Sequence, residues 1–262
     1  HAEYALEKHL SETLQPQFDK NNKSAKNWPF SNKLSDEQVN SIMTSSMRRS
    51  DRYRILSEAG LSDEEIRRNF NEPVEMRVFS WSGERDTIMS PMDSIRYYKS
   101  FLQAGLISIE PSTGFVKAWV GGANIDHFAY DHVKLGKRQV GSTIKPFVYA
   151  AGITMNVVKP GLVIPNINYC VDLYDPNGNP DGQWCPRNSD GSGKGGTVSI
   201  AQGLAGSMNN VVVYTMKQMG ALAGPKTVAK LMRDMDIELM DRDIVPAMCL
   251  GSMDLSLYEL VG

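Results

Sequence analysis

Ser142 and Lys145 stand three residues apart within 136–147, where the pattern marks the start of a helix. That spacing puts a lysine amine one turn above a serine hydroxyl on the same helical face. A serine hydroxyl is a poor nucleophile near neutral pH, and an adjacent unprotonated amine can activate it. Desolvation lowers a lysine's pKa, so an amine against an apolar wall can act as that base, and Ser-Lys is a recurring variant of the serine–base pair. The same residues also describe an N-cap serine followed by a solvated lysine. Two features favour chemistry. This is the only Ser-x-x-Lys in the chain, and Pro146, Phe147, Val148, Tyr149, Ala150, Ala151 and Ile153 follow it, which reads as a helix buried almost all round. Pro146 falls in the first turn, where its missing N–H costs little.

Ser207 and Asn209 form the only Ser-x-Asn, in Gly206-Ser207-Met208-Asn209-Asn210. A hydroxyl there can relay a proton and a carboxamide can hold a substrate amide. Serine and asparagine are also favoured helix caps, and the apolar run 211–214 follows at once.

The segment Arg138-Gln139-Val140-Gly141-Ser142-Thr143-Ile144-Lys145-Pro146-Phe147 strongly resembles the nucleophile segment of class A penicillin-binding proteins, the bifunctional peptidoglycan synthases. Further segments match in family order. Ile109-Glu110-Pro111-Ser112-Thr113-Gly114 and Val116-Lys117-Ala118-Trp119-Val120-Gly121-Gly122 look like the strand–turn–strand ahead of the nucleophile. Trp184-Cys185-Pro186-Arg187-Asn188 is similar to the Trp-x-Pro-x-Asn loop, and Ala247-Met248-Cys249-Leu250-Gly251-Ser252 to the later Ala-Leu-Gly segment. Upstream, 73–92 looks like the stretch before the transpeptidase domain in Bacteroidetes-like members.

The resemblance implies an α+β fold of the penicillin-binding transpeptidase and serine β-lactamase type, a five-stranded antiparallel sheet with a helical subdomain, incomplete at the C-terminus. It implies a serine DD-transpeptidase in which Ser142 attacks a D-Ala-D-Ala peptidoglycan stem, Lys145 is the base, Ser207 relays a proton to the leaving amine and Asn209 binds the substrate amide and Lys145. The backbone N–H of Ser142 would form half of an oxyanion hole. β-Lactams would acylate Ser142, no cofactor or metal is needed, and the parent protein would be anchored on the periplasmic face of the inner membrane and carry a glycosyltransferase as well.

Departures from the family are equally plain. No Lys-Thr-Gly or Lys-Ser-Gly occurs, and Lys226-Thr227-Val228 has the wrong third residue and comes too early. The glycosyltransferase signature and an apolar anchor span are missing too, and the chain starts at His1 and stops at Gly262, so it reads as a fragment that is inactive alone. A DD-carboxypeptidase or a serine β-lactamase would use the same serine and lysine, although no Glu-x-x-Leu-Asn loop for a deacylating water is evident. A catalytically silent interaction module is the remaining alternative.

Composition narrows the class. Twenty-eight basic against thirty acidic residues give a net charge of −2, so no nucleic-acid partner is indicated. With 41% hydrophobic residues and no long apolar run, the chain reads as soluble and globular. His127 and His132 read as surface-loop residues, and no histidine has metal-ligand spacing. Cys170 and Cys185 bracket a stretch rich in Asp, Asn, Gly and Pro, and a bridge between them requires an oxidising compartment. Cys249, in an apolar context, reads as a packed thiol.

The elements that must position these groups divide the chain near 105. Residues 1–104 read as a linker or inter-domain region, with 1–34 a polar tether, and 105–262 as the N-terminal part of the transpeptidase domain. Ser35–Gln38 and Ser62–Glu65 are capping boxes that open helices. Residues 74–80 read as a strand, 91–103 as a helix, and 106–110 with 115–121 as a hairpin. The stretch 156–198 reads as irregular and able to line a groove. Helices return at 199–206, 209–220, 225–235 and 255–261.

Overall fold

The computed structural model describes residues 1–175, 177–188, 191 and 195–261. The chain forms two compact units, one of 1–108 with 118–131, the other of 109–117 with 132 onward.

The first unit opens with helix rather than a tether. Helix α1 (Ala2–His9) runs through a π-helical stretch (Leu10–Leu14) into α2 (Gln15–Asn22). The lettering is polar on average, but Leu6 and Leu10 pack with Val120, Trp81 and Leu102, and two apolar anchors suffice to order the helix. The buried Gln15 side chain donates to the Ser100 carbonyl (2.9 Å) and accepts from the Leu102 N–H (2.9 Å).

Helices α3 (Asp36–Arg48) and α5 (Asp63–Asn71) begin at Ser35 and Ser62, and both capping boxes form. Between them lies α4 (Asp51–Glu58), capped by Ser50. Met47, Ile66 and Phe70 make a core with Tyr53, Leu56, Leu61, Met92 and Ile95. Strand β1 (Val74–Val78) pairs antiparallel with β2 (Arg85–Met89), whose partner role the alternation alone did not reveal. Helix α6 (Pro91–Tyr98) is shorter than expected, because Tyr97, Tyr98 and Phe101 turn into an aromatic cluster with Phe79 and Phe128. His127 belongs to that cluster, stacked on Tyr98 and 3.2 Å from Glu84, rather than to a bare surface loop. The unit therefore has buried cores of its own. Strands β3 (Leu106–Ile109) and β4 (Val116–Val120) form the expected hairpin.

In the second unit, β5 (Arg138–Gln139) leads into a 3₁₀ turn (Gly141–Ile144) and α7 (Lys145–Thr154). The stretch read as irregular contains β6 (Val163–Pro165), β7 (Val171–Tyr174), β8 (Pro180–Trp184) and β9 (Thr197–Ser199), paired β6–β9 and β7–β8 antiparallel. Its residues 176, 189–190 and 192–194 lie outside the described residues, as does Gly262. Helices α8 (Ile200–Ala205), α9 (Asn209–Met219) and α10 (Ala223–Arg233) follow. A second 3₁₀ turn (Pro246–Leu250) precedes β10 (Asp254–Leu255) and α11 (Leu257–Val261). Leu255 is thus a strand residue facing Arg138, not the first residue of a helix; Ser256 and Glu259 cap α11 instead.

Helices α7, α9 and α10 share one core that includes Ile144, Val148, Val212, Met216, Val228 and Met232. Gly152 permits the α7–α9 contact, since a Cβ there would lie 2.7 Å from Thr215 Cγ2. The fold is α+β with small two-stranded sheets, and the five-stranded sheet expected from the resemblance does not occur among the described residues. Each strand, two to five residues long, pairs with one neighbour only.

Candidate active site

Ser142 sits in the 3₁₀ turn directly before α7, and Lys145 is the first residue of that helix. In a 3₁₀ turn, side chains at i and i+3 eclipse, so the two share a face. The turn is held from one side by β10 and the residues before it: the Gly141 N–H donates to the Gly251 carbonyl (3.1 Å) and the Val140 N–H to the Met253 carbonyl (3.1 Å). Gly251 has a φ of +73°, and a Cβ on it would come within 2.0 Å of the Gly141 carbonyl oxygen. Only glycine fits there.

Lys145 is 1% exposed. Its amine donates to the Ser207 carbonyl, to Ser207 Oγ (3.1 Å) and to Asn209 Oδ1 (2.8 Å). Burial pushes its pKa below the ordinary lysine value. Cys249 is wholly buried, and burial holds its own pKa up at about 12, so it is a neutral packed thiol. Tyr149, also buried, has its pKa raised by desolvation and stays a neutral phenol.

Ser207 and Asn209 lie at the junction of α8 and α9, Asn209 being the first residue of α9. Ser207 adopts a φ of +50°, a left-handed conformation uncommon for serine, and presents both its carbonyl and its hydroxyl to Lys145. The structure thus brings together Lys145, Ser207 and Asn209 by direct contact. Ser142 is exposed one turn away, and among the described residues its hydroxyl makes no hydrogen bond, so the expected Ser142–Lys145 bond is not formed. The reason is the competition: an ammonium has three N–H groups, and Ser207 and Asn209 supply three acceptors. As a neutral amine, Lys145 keeps two of those bonds, and its lone pair becomes available to a hydroxyl.

Sequence reading missed the asparagines behind the site. Asn188 Oδ1 accepts the N–H groups of Asn209 (2.7 Å) and Asn210 (3.0 Å), and Asn188 Nδ2 donates to Asn210 Oδ1 (3.1 Å). The position of Asn188 at the end of Trp184-Cys185-Pro186-Arg187-Asn188 was the available signal. Cys170 and Cys185, flanking the β7–β8 pair, form a disulfide.

Known proteins resemble parts of this chain. Residues 25–102 match the family profile described as the penicillin-binding protein middle domain. The chain is 28% identical over 167 residues to penicillin-binding protein 1A of Neisseria meningitidis serogroup B, covering 64% of this chain and 19% of that protein. It is 33% identical over 119 residues to penicillin-binding protein 1A of Escherichia coli K12, covering 45% and 13%. The chain therefore spans less than a fifth of the length of the curated relatives it matches in these alignments. A likeness of fold extends to the crystal structure of penicillin-binding protein 1A from Haemophilus influenzae, with a TM-score of 0.50, 24% identity, and 60% of this chain and 22% of that one covered. The chain is thus similar to a region of penicillin-binding protein 1A, with 25–102 resembling the middle domain, a distant likeness to the class A penicillin-binding proteins.

Proposed function

We propose that 105–262 is the N-terminal part of a serine DD-transpeptidase domain and that 1–104 is the region preceding it in a peptidoglycan synthase. The observation that carries this reading is the buried Lys145 amine, held by Ser207 and Asn209 one turn from an exposed serine.

In this reading Ser142 Oγ attacks the carbonyl between the two D-alanines of a stem peptide, and its proton passes to neutral Lys145. The oxyanion of the tetrahedral intermediate lies against the Ser142 N–H, which has no partner outside its own turn among the described residues. Collapse breaks the C–N bond. The proton returns from Lys145 through the Ser207 hydroxyl to the departing D-alanine amine, leaving an acyl-serine. Attack by the amine of a second stem peptide restores Ser142 and completes a cross-link. Asn209 keeps its oxygen on Lys145 and directs its amide N–H groups away from it. A β-lactam ring presents the same carbonyl and acylates the same oxygen.

The disulfide fits a domain exposed to an oxidising compartment, in keeping with a periplasmic location and a membrane anchor elsewhere in the parent protein. Among the described residues no helix is long and apolar enough to cross a membrane. Because 1–262 contains no Lys-Thr/Ser-Gly, the carboxylate anchor and second oxyanion donor of the family are not among these residues, and 1–262 alone is expected to react slowly with penicillin.

The test is fluorescent-penicillin labelling of the natural full-length polypeptide that contains this chain, with mass spectrometry of the labelled peptide. Label on Ser142, abolished in Ser142→Ala with the fold intact, is the expected result. Label elsewhere, or undiminished in the variant, overturns the assignment.

A further inference from the structure

Helix α9 starts without a cap of its own. Met208 occupies the N-cap position, and a thioether cannot accept the orphan N–H groups of the first turn. The acceptor comes from a different segment. Asn188, 8% exposed, takes the N–H groups of both Asn209 and Asn210 on a single side-chain oxygen, at 2.7 and 3.0 Å.

The rest of its amide is also committed. Asn188 Nδ2 donates to Asn210 Oδ1, and the wholly buried Asn210 passes its own Nδ2 to Asn166 Oδ1 (2.8 Å) and to the Ile167 carbonyl (3.1 Å). The residue before Asn188 grips Asn209 from its other end: the Arg187 carbonyl accepts from Asn209 Nδ2 at 3.2 Å. That contact decides which end of the Asn209 amide points where. With Nδ2 on Arg187, Oδ1 is left to receive Lys145 Nζ at 2.8 Å. Two consecutive loop residues therefore hold Asn209 at its backbone and at its side chain, and the Cys170–Cys185 bridge ties that loop to the start of β7 two residues earlier.

We propose that Asn188 is a positioning residue for acylation: by capping α9 from the 185–188 loop, it fixes Asn209 and Ser207 and so the place of the Lys145 amine relative to Ser142. The inference rests on the reading of Ser142 and Lys145 as nucleophile and base. It adds a residue that acts on Lys145 through its hydrogen bonds to Asn209 and Asn210, and whose loss moves three acceptors of Lys145 together. A misplacement of about 1 Å in such a site costs on the order of 10²-fold in rate.

The test compares second-order acylation rates by fluorescent penicillin, per folded molecule, for the full-length polypeptide and its Ser142→Ala, Asn188→Ala, Asn188→Ser and Asn188→Asp variants, with thermal melts alongside. Asn188→Ala is expected to acylate about 100-fold more slowly. Asn188→Ser, too short to reach both N–H groups, should lose about 10-fold. Asn188→Asp keeps an oxygen for both N–H groups, with a charge favoured at a helix N-terminus, but sets its second oxygen against Asn210 Oδ1 where the amide had donated, and should acylate at a rate between those of Asn188→Ala and the parent. If Asn188→Ala does not fold, Asn188→Ser decides. Folded Ala or Ser variants acylating at the parent rate, or an Asp variant as slow as Ala, overturn the inference and leave the Ser142 assignment standing. Full labelling of Ser142→Ala would instead overturn that assignment, and the positioning role with it.

Discussion

The surroundings of Arg48 in the first unit and of Lys145 in the second each hold a cation among oxygen acceptors, and they differ in almost every consequence. On the first unit Arg48 donates to Asp63 Oδ2 (3.0 Å), and the Tyr53 hydroxyl donates to Asp63 Oδ1 (2.6 Å). Both members of the ion pair are about half exposed. The Tyr53 hydroxyl first, then Arg48, keep Asp63 below the usual carboxylate range, while the guanidinium is held further toward its charged form. Every group there sits more firmly in its ordinary ionisation state, and water screens what remains. In the second unit the cation is buried, its partners are neutral, and desolvation drives its pKa down. The same hydrogen-bonding vocabulary makes a surface clasp in one place and, on the function proposed above, a poised base in the other. Burial without a counter-charge is the difference.

The comparison is broken most severely by changing what the buried cation can do. Lys145→Arg keeps the charge but cannot lose a proton, and should lower acylation of the full-length polypeptide by about 10³-fold or more, within the range set by general-base catalysis. Arg48→Lys should leave the same rate unchanged. A Lys145→Arg variant that acylates normally would reduce the site to another clasp.

Next in size is the disulfide. Replacing Cys170 and Cys185 together by serine removes a bridge with a sequence separation of 15, and should cost about 3 kcal/mol in denaturant unfolding on the chain-entropy account. The loss should appear in the transition of the unit carrying the site. An unchanged midpoint would show that the 185–188 loop is held by its hydrogen bonds alone.

A smaller effect is expected at Gly251. Alanine there must displace the Gly141 backbone and adopt a left-handed φ, at about 1–3 kcal/mol. Because the displaced residue precedes Ser142, acylation should fall along with stability, about tenfold or more. A melt that shifts without any change in rate would separate this turn from the nucleophile.

The two regions also differ in how much of them could be read from the residues. Capping chemistry is local, so Ser35, Ser62, Gln38 and Glu65 announced α3 and α5, and both boxes form. The helical α1–α2 stretch was hidden because its order comes from Leu6, Leu10 and Gln15 meeting residues near 81–120, contacts no local pattern records. In the second unit the helix start at Ser142 and the junction at Ser207 were legible from spacing and cap signals. The hydrogen bonds of Lys145 were not: its amine prefers three ready acceptors on Ser207 and Asn209 over the neighbouring hydroxyl. Strands β6 to β9 escaped notice because β6 and β9 are only three residues long and β7 and β8 are interrupted by Asp, Gly and Pro, which leaves too little alternation to detect. The Asn188 cap escaped for a related reason, since it joins segments more than twenty residues apart.

The central claim, that Lys145 is a buried amine acting as base toward Ser142, is tested most directly by the pH dependence of acylation in the full-length polypeptide. The protonated ammonium has no lone pair, so the rate should be low in acid and rise as pH climbs through the Lys145 pKa. Desolvation lowers that pKa, so the rise should be centred below the ordinary lysine value, with a plateau above it. The limb should vanish in Lys145→Arg. A rate that is flat with pH, or one whose limb persists unchanged in that variant, would contradict the account.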